Sequence, residues 1–223
     1  MNSEAEHSVV EIDAMAFRSL LEFNAYLRSL TPPIEANVVN LPATVSGVAA
    51  GLRKGIHLQF AADVGNYFYF LGADAQIEVH GSCGACTAYQ MESGSLLIRN
   101  SADDFLGAFA KGGFLGVHGK AGNDCGYALA GADIVVRSTC GDRAGCGMSG
   151  GDLVLCNGSG AELGLNMVGG TIFVRGTAKP ASGVREVRMK SAEALRLSLL
   201  LARAGIKGDV KDFRVYRPRE PQE

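Results

Sequence analysis

The stretch GADIVVRSTCGDRAGCGMS (131–149), followed by GGDLVLCNGSGAELGLNMV (150–168) and GGTIFVRG (169–176), decides the fold. Set beneath one another, the three lines place Ile134, Leu153 and Ile172 in one column and Val136, Leu155 and Val174 in the next but one. The same pair of columns continues backwards through Leu115 and Val117, Leu96 and Ile98, and Ile77 and Val79. Leu58 and Phe60 come next, and Val39 and Leu41 extend the series. From Phe60 onward the step is 19 residues without an insertion. Apolar residues two apart mark a short strand with one buried face, so the chain reads as one strand repeated at fixed spacing.

Other columns agree. Met91, Ala110, Leu129, Met148 and Met167 form a second apolar row. Glycine recurs at Gly84, Gly122, Gly141 and Gly160, at Gly107, Gly126, Gly145 and Gly164, and at Gly112, Gly131, Gly150 and Gly169. These twelve are read as turn glycines, at corners where a left-handed backbone is needed. Of the 30 glycines, 23 lie between Gly72 and Gly176, so the excess belongs to the repeat.

Hairpins do not require matching corners, and a βαβ crossover needs a helix that glycine-rich segments will not hold. A coil that returns every 19 residues satisfies all the columns. The expected fold is all-β: a single-stranded right-handed parallel β-helix of about seven 19-residue turns, with two short strands per turn and Ile, Leu and Val stacked inside. It spans 39–178, between an N-terminal helix and cap (1–38) and a C-terminal helix with an extended tail (179–223). Ser19 and Glu22 have capping-box spacing before Leu20, Leu21, Ala25 and Leu27, and Thr31-Pro32-Pro33 stops that helix. Ser191 caps a second run through Leu195, Leu199 and Ala202 that ends on Gly205-Ile206. Solenoid ends expose edges and core, so both helices are read as caps or docking elements.

A formal charge of -2, from 21 Lys+Arg and 23 Asp+Glu, is unsuited to neutralising nucleic-acid phosphates. The acidic Met1–His7 segment lacks a signal-like apolar run, and no stretch is long enough to span a membrane. With six cysteines read as reduced thiols, the expected location is cytoplasmic. Cys83-Gly-Ala-Cys86 has metal or redox spacing, but no helix follows it, and the repeat sets Cys83 and Cys140 three turns apart. No phosphate loop or nucleophile–base pair is legible, and the expectation is no catalytic, cofactor-binding or metal residue in this chain.

One surface column is basic: His80, Arg99, His118, Arg137 and Arg175, with Cys156 interposed. The neighbouring outward column holds Leu97, Val135, Val154 and Phe173. A basic row beside an apolar one implies a covered face. Two coverings are open: the chain's own C-terminal helix, or a neighbouring protein, with these nine residues as the candidate interface.

The units 130–137 and 168–176 resemble the glycine-repeat β-helix domain at the C-terminal end of glutamate synthase large subunits. They also resemble the glycine-repeat component of formylmethanofuran dehydrogenase and of the related formyltransferase/hydrolase complex. The N-terminal helix, the length, and the ending Leu199–Ile206 followed by Asp212–Tyr216 are similar to the free-standing β-helix subunit of N-methylglutamate synthase and its relatives. That resemblance implies a non-catalytic structural subunit in a hetero-oligomer. Its partners would be a class II glutamine amidotransferase-like chain and a glutamate-synthase-like chain that carries FMN and iron–sulfur clusters. The implied overall reaction is methylamine plus glutamate giving N-methylglutamate and ammonia. The alternatives are a component of a C1-transfer complex and an independent binding module that uses the basic face. The short charged tail Pro218–Glu223 departs from the family, whose members continue with an aromatic stretch.

Overall fold

A computed structural model describes residues 9–219; residues 1–8, with the acidic Met1–His7 stretch, and the last four residues of the tail lie outside it. The seven strands β3 (His57–Phe60), β4 (Gln76–Val79), β5 (Ser95–Ile98), β6 (Phe114–Val117), β7 (Ala130–Val136), β8 (Gly150–Leu155) and β9 (Thr171–Val174) pair in parallel, each with the next. Leu58 pairs with Ile77, Ile77 with Leu96, and so on through Leu115, Ile134 and Leu153 to Ile172. The 19-residue step therefore fixes the register of the whole middle of the sheet. A one-residue slip would turn every inward Ile, Leu and Val to the other face. All of these side chains are buried, as is the Met91, Ala110, Leu129, Met148 and Met167 row across the interior. The molecule is a parallel β-solenoid of about seven turns.

The expected second strand per turn is reduced to single bridges, running Val64, Cys83, Ala102, Ala121, Cys140, Ser159. Two glycine columns prove not to be left-handed. At Gly141 a Cβ would sit 2.5 Å from Asn123 Oδ1, which accepts from the Asp142 N–H one turn on. Asn66, Asp104 and Asp142 do the same for Ala85, Asn123 and Ala161, so this column is glycine because a side chain from the previous turn occupies the space. The column of Gly112, Gly131, Gly150 and Gly169 is excluded from a Cβ by the previous turn's carbonyl oxygens. Of the three predicted columns only Gly107, Gly126, Gly145 and Gly164 is left-handed, although Gly94, Gly113, Gly151 and Gly170 form another left-handed glycine column. Two further left-handed columns carry side chains, among them Tyr67, Cys86, Phe105, Asp124, Arg143 and Glu162, with φ between 54° and 60°. Such residues cost about 1–2 kcal/mol each, and here, from Tyr67 to Arg143, each backbone N–H donates to a carbonyl of the following turn, which holds it in place.

The sheet runs beyond the repeat at both ends. β2 (Glu35–Val39) pairs with β3 through Ala36 and Val38 across a 22-residue step, so Val39 and Leu41 are not its inward pair. β1 (Val10–Asp13) pairs in turn with β2. Helix α1 (Leu20–Ser29) begins at Ser19 as its spacing predicts, the Ser19 Oγ accepting from the Glu22 N–H. It buries Phe23, Asn24 and Leu27 and leaves Leu21 exposed. Asn24 works as a surrogate strand edge: its Nδ2 donates to Gly47 O at 2.8 Å, and its Oδ1 accepts from the Ala49 N–H at 2.8 Å.

At the other end, Arg214–Pro218 forms a strand (β11) rather than an extended surface tail, and β10 (Val184–Val187) lies outside it. β11 lies antiparallel between β9 and β10, which ends the parallel stack. Its charged residues are accommodated because Arg217 pairs with Glu193 and Arg214 approaches Glu186 at 3.8 Å. Helix α2 (Ser191–Arg203) is capped at Lys190, not Ser191, through Glu193 Oε2 accepting from the Lys190 N–H. It stops where the sequence places the stop: Gly205 is left-handed (φ 67°) and the Ile206 N–H donates to Leu201 O. The buried stripe is Leu197, Leu200, Leu201 and Ala204, while Leu195, Leu199 and Ala202 face out.

Candidate interaction surfaces

The stripe on α2 packs against Phe114, Val135, Val154 and Phe173 on the outer face of β6–β9, closed off by Ile206, Phe213 and Val215. Val135, Val154 and Phe173, expected as candidate interface residues, are instead a second core of this chain. Of that apolar column only Leu97 stays partly exposed. An ionic clamp fixes the helix. Arg196 Nη2 donates to both carboxylate oxygens of Asp133 (2.8 and 2.7 Å), and its Nε donates to Asp152 at 2.9 Å. Burial drives the Asp133 carboxyl above its ordinary value, and Arg196 pulls it back.

The basic column divides at the edge of α2. Before it, His80 bonds Gln59, and Arg99 Nε donates to Glu78 at 2.5 Å. That hydrogen bond holds the Glu78 carboxyl below its ordinary value. Beneath the helix end, His118 Nε2 lies 2.8 Å from Ala204 O. Arg175 Nε donates to Cys156 O, and its guanidinium lies 5.4 Å from the Phe213 ring centre. Arg137 is exposed and forms no ion pair among the described residues.

Among the described residues the thiols meet only as the pair Cys125–Cys140. Cys83 points inward and Cys86 is half-buried. Burial raises the Cys83 thiol, while the contact with Cys140, followed by burial, raises Cys125. Cys156 is pushed up to about 11, by burial first, with Arg175 and Arg137 pulling the other way. Among the described residues no group of three or more His, Cys, Asp and Glu side chains could hold a metal ion. At pH 8 a thiol with a pKa of about 11 is thiolate to roughly one part in a thousand, so Cys156 is expected to resist iodoacetamide while Cys86 is alkylated. Peptide mass mapping of the native protein checks this; equal labelling of the two without denaturant would contradict the assigned burial.

The sequence reading missed a third surface. On the left-handed corners Phe70, Tyr89, Phe109 and Tyr127 form a chain of ring contacts at 5.8, 5.2 and 5.4 Å between centres, with Phe105 against Tyr127 at 6.0 Å. Tyr67 (50% exposed), Phe105 (36%) and Phe109 (36%) stand out from it. The signal was present: Phe70, Tyr89 and Tyr127 share one column of the repeat, and Tyr67 and Phe105 share another. Among the described residues no helix covers this face, whose rings touch one another.

Fold and surfaces together define a parallel β-solenoid with one face sealed by its own helix, a basic column at the edge of that helix and an open aromatic row. No family model matches the chain, and no curated protein matches it. Among the described residues no helix is long and apolar enough to cross a membrane.

Proposed function

We propose that this chain is a non-catalytic structural subunit of a glutamate-synthase-type complex, the N-methylglutamate synthase type foremost. In that reading it bridges a class II glutamine amidotransferase-like subunit and an FMN- and iron–sulfur-binding subunit in the cytoplasm. Any flavin or cluster belongs to the second of these partners. The observation that carries the reading is the aromatic row. A solenoid that has covered its apolar sheet face still leaves five aromatic rings in mutual contact, of which Phe105 and Phe109 are exposed, with Tyr67 exposed on the same repeat column as Phe105, and such rows mark protein contacts. Stacked parallel strands make a stiff strut, which suits a part that holds two active sites in register.

The test is co-expression of the full chain with the two partner types. The wild type is expected to copurify with both. The double variant Phe105→Asn, Phe109→Asn should lose at least one while melting at an unchanged temperature, because both positions are left-handed (φ 60° and 58°) and Asn tolerates that conformation better than Phe. Normal assembly of the double variant, or a wild type that binds neither partner, would overturn the reading.

A further inference from the structure

We propose that the recess between the solenoid and the end of α2 binds a small multivalent oxyanion, through Arg137, Arg175 and Lys207. The recess has a volume of about 670 Å³, within the usual range for small-molecule sites. One wall is built by consecutive turns of the repeat, which bring up Arg137, Ser138, Asn157 and Arg175; the other is Gly205, Ile206 and Lys207. Three permanent cations line it, and among the described residues no carboxylate does.

The repeat itself shows how unusual this is. Arg99 is neutralised by Glu78, which lies 21 residues before it. The same offset from Arg137 reaches Gly116, and from Arg175 it reaches Val154, so the counter-ion position is vacated where α2 covers the sheet. The remaining arginines of the coils find carboxylates: Arg53 has Glu92 and Arg143 has Asp124. In a chain of net charge -2, no carboxylate among the described residues compensates the positive charge of the recess. The two arginines are two turns apart, about 10 Å along the stack. Ser138 and Asn157 between them offer a hydroxyl and an amide that can hydrogen-bond an oxyanion.

The cations could instead serve the carbonyl end of α2. Two contacts to carbonyls in this region are already made by His118 on Ala204 O and by Arg175 on Cys156 O. The side chains of Arg137 and Lys207 are exposed and bond neither carbonyls nor carboxylates among the described residues. A planar guanidinium with free N–H groups is suited to carboxylate and phosphate oxygens alike. Pyrophosphate and citrate therefore serve as separate probes of the two chemistries.

The experiment is titration calorimetry of the full chain with each probe, at ionic strength matched with sodium chloride. At least one probe is expected to bind at a single site, with affinity at least tenfold weaker in Arg137→Gln, Lys207→Gln. The control double variant Lys111→Gln, Arg188→Gln carries the same charge change on exposed residues outside the recess and should bind as the wild type does. Melting of both variants in sodium chloride alone should equal that of the wild type, since neither removes core packing. A phosphate site is indicated if only pyrophosphate binds, and a carboxylate site if only citrate does. Binding of neither probe, or equal loss in both double variants, would overturn the proposal.

Discussion

Gly145→Val is expected to lower the melting temperature by about 10 °C, and Gly183→Val to leave it nearly unchanged. Gly145 is left-handed (φ 71°), and a Cβ there would lie 2.8 Å from Ile172 Cδ1 and 3.4 Å from Leu153 Cδ2, both in the stacked core. A β-branched residue in that conformation costs about 1–2 kcal/mol, and overpacking adds roughly 1–3 kcal/mol. For a chain of this size each kcal/mol is worth about 2–4 °C. Gly183 has an ordinary φ, and nothing lies within 4 Å of the position a Cβ would take. The column admits alanine, for Ala88 occupies it at φ 57°. Gly145→Ala should therefore be milder than valine, and scanning calorimetry of the three variants checks the order. Equal melting of the two valine variants would mean that the corner is not a fixed part of the coil.

The second large effect belongs to the clamp under α2. Arg196→Ala should destabilise the protein by about 2–4 kcal/mol at neutral pH, because it strands a buried carboxylate whose side chain is 12% exposed. The partial exposure of Arg196 itself, at 49%, keeps the figure toward the lower end. The pH dependence follows from the sign of the Asp133 shift. Its folded-state pKa is already raised, and losing Arg196 raises it further. The folded variant then holds its proton more tightly than the unfolded chain does, so its stability falls as pH rises from the unfolded carboxylate pKa through the folded one. The deficit should accordingly shrink as pH is lowered into that window. Urea unfolding at neutral and mildly acidic pH measures it; a deficit that is the same at both would show that Asp133 is not the group left exposed to the penalty.

The candidate surfaces were only half legible before folding. The basic column could be read directly, because residues 19 apart must stack. What could not be read is which of its members keep a charge uncompensated, since that depends on where α2 lies. The helix shows the difficulty plainly. Leu195, Leu197, Leu199, Leu200 and Leu201 surround its axis, so the sequence offers two apolar faces, and the one through Leu195 and Leu199 proves to be the outer. The aromatic row was legible in principle, but its exposure was not: nothing in the spacing says which outward column a terminal segment will cover.

The sequence by itself determined the parallel stack from β3 to β9, its register, the interior rows, and the Gly205 stop of α2. Each follows from a local period or cap that a single residue's displacement would break. Only the tertiary structure decided the 22-residue step into β2, the insertion of β11 between β9 and β10, and the burial of Val135, Val154 and Phe173. These depend on the open ends and the apolar face of a finished solenoid, which exist as surfaces only after the coils have stacked, and which the irregular flanking segments then bury.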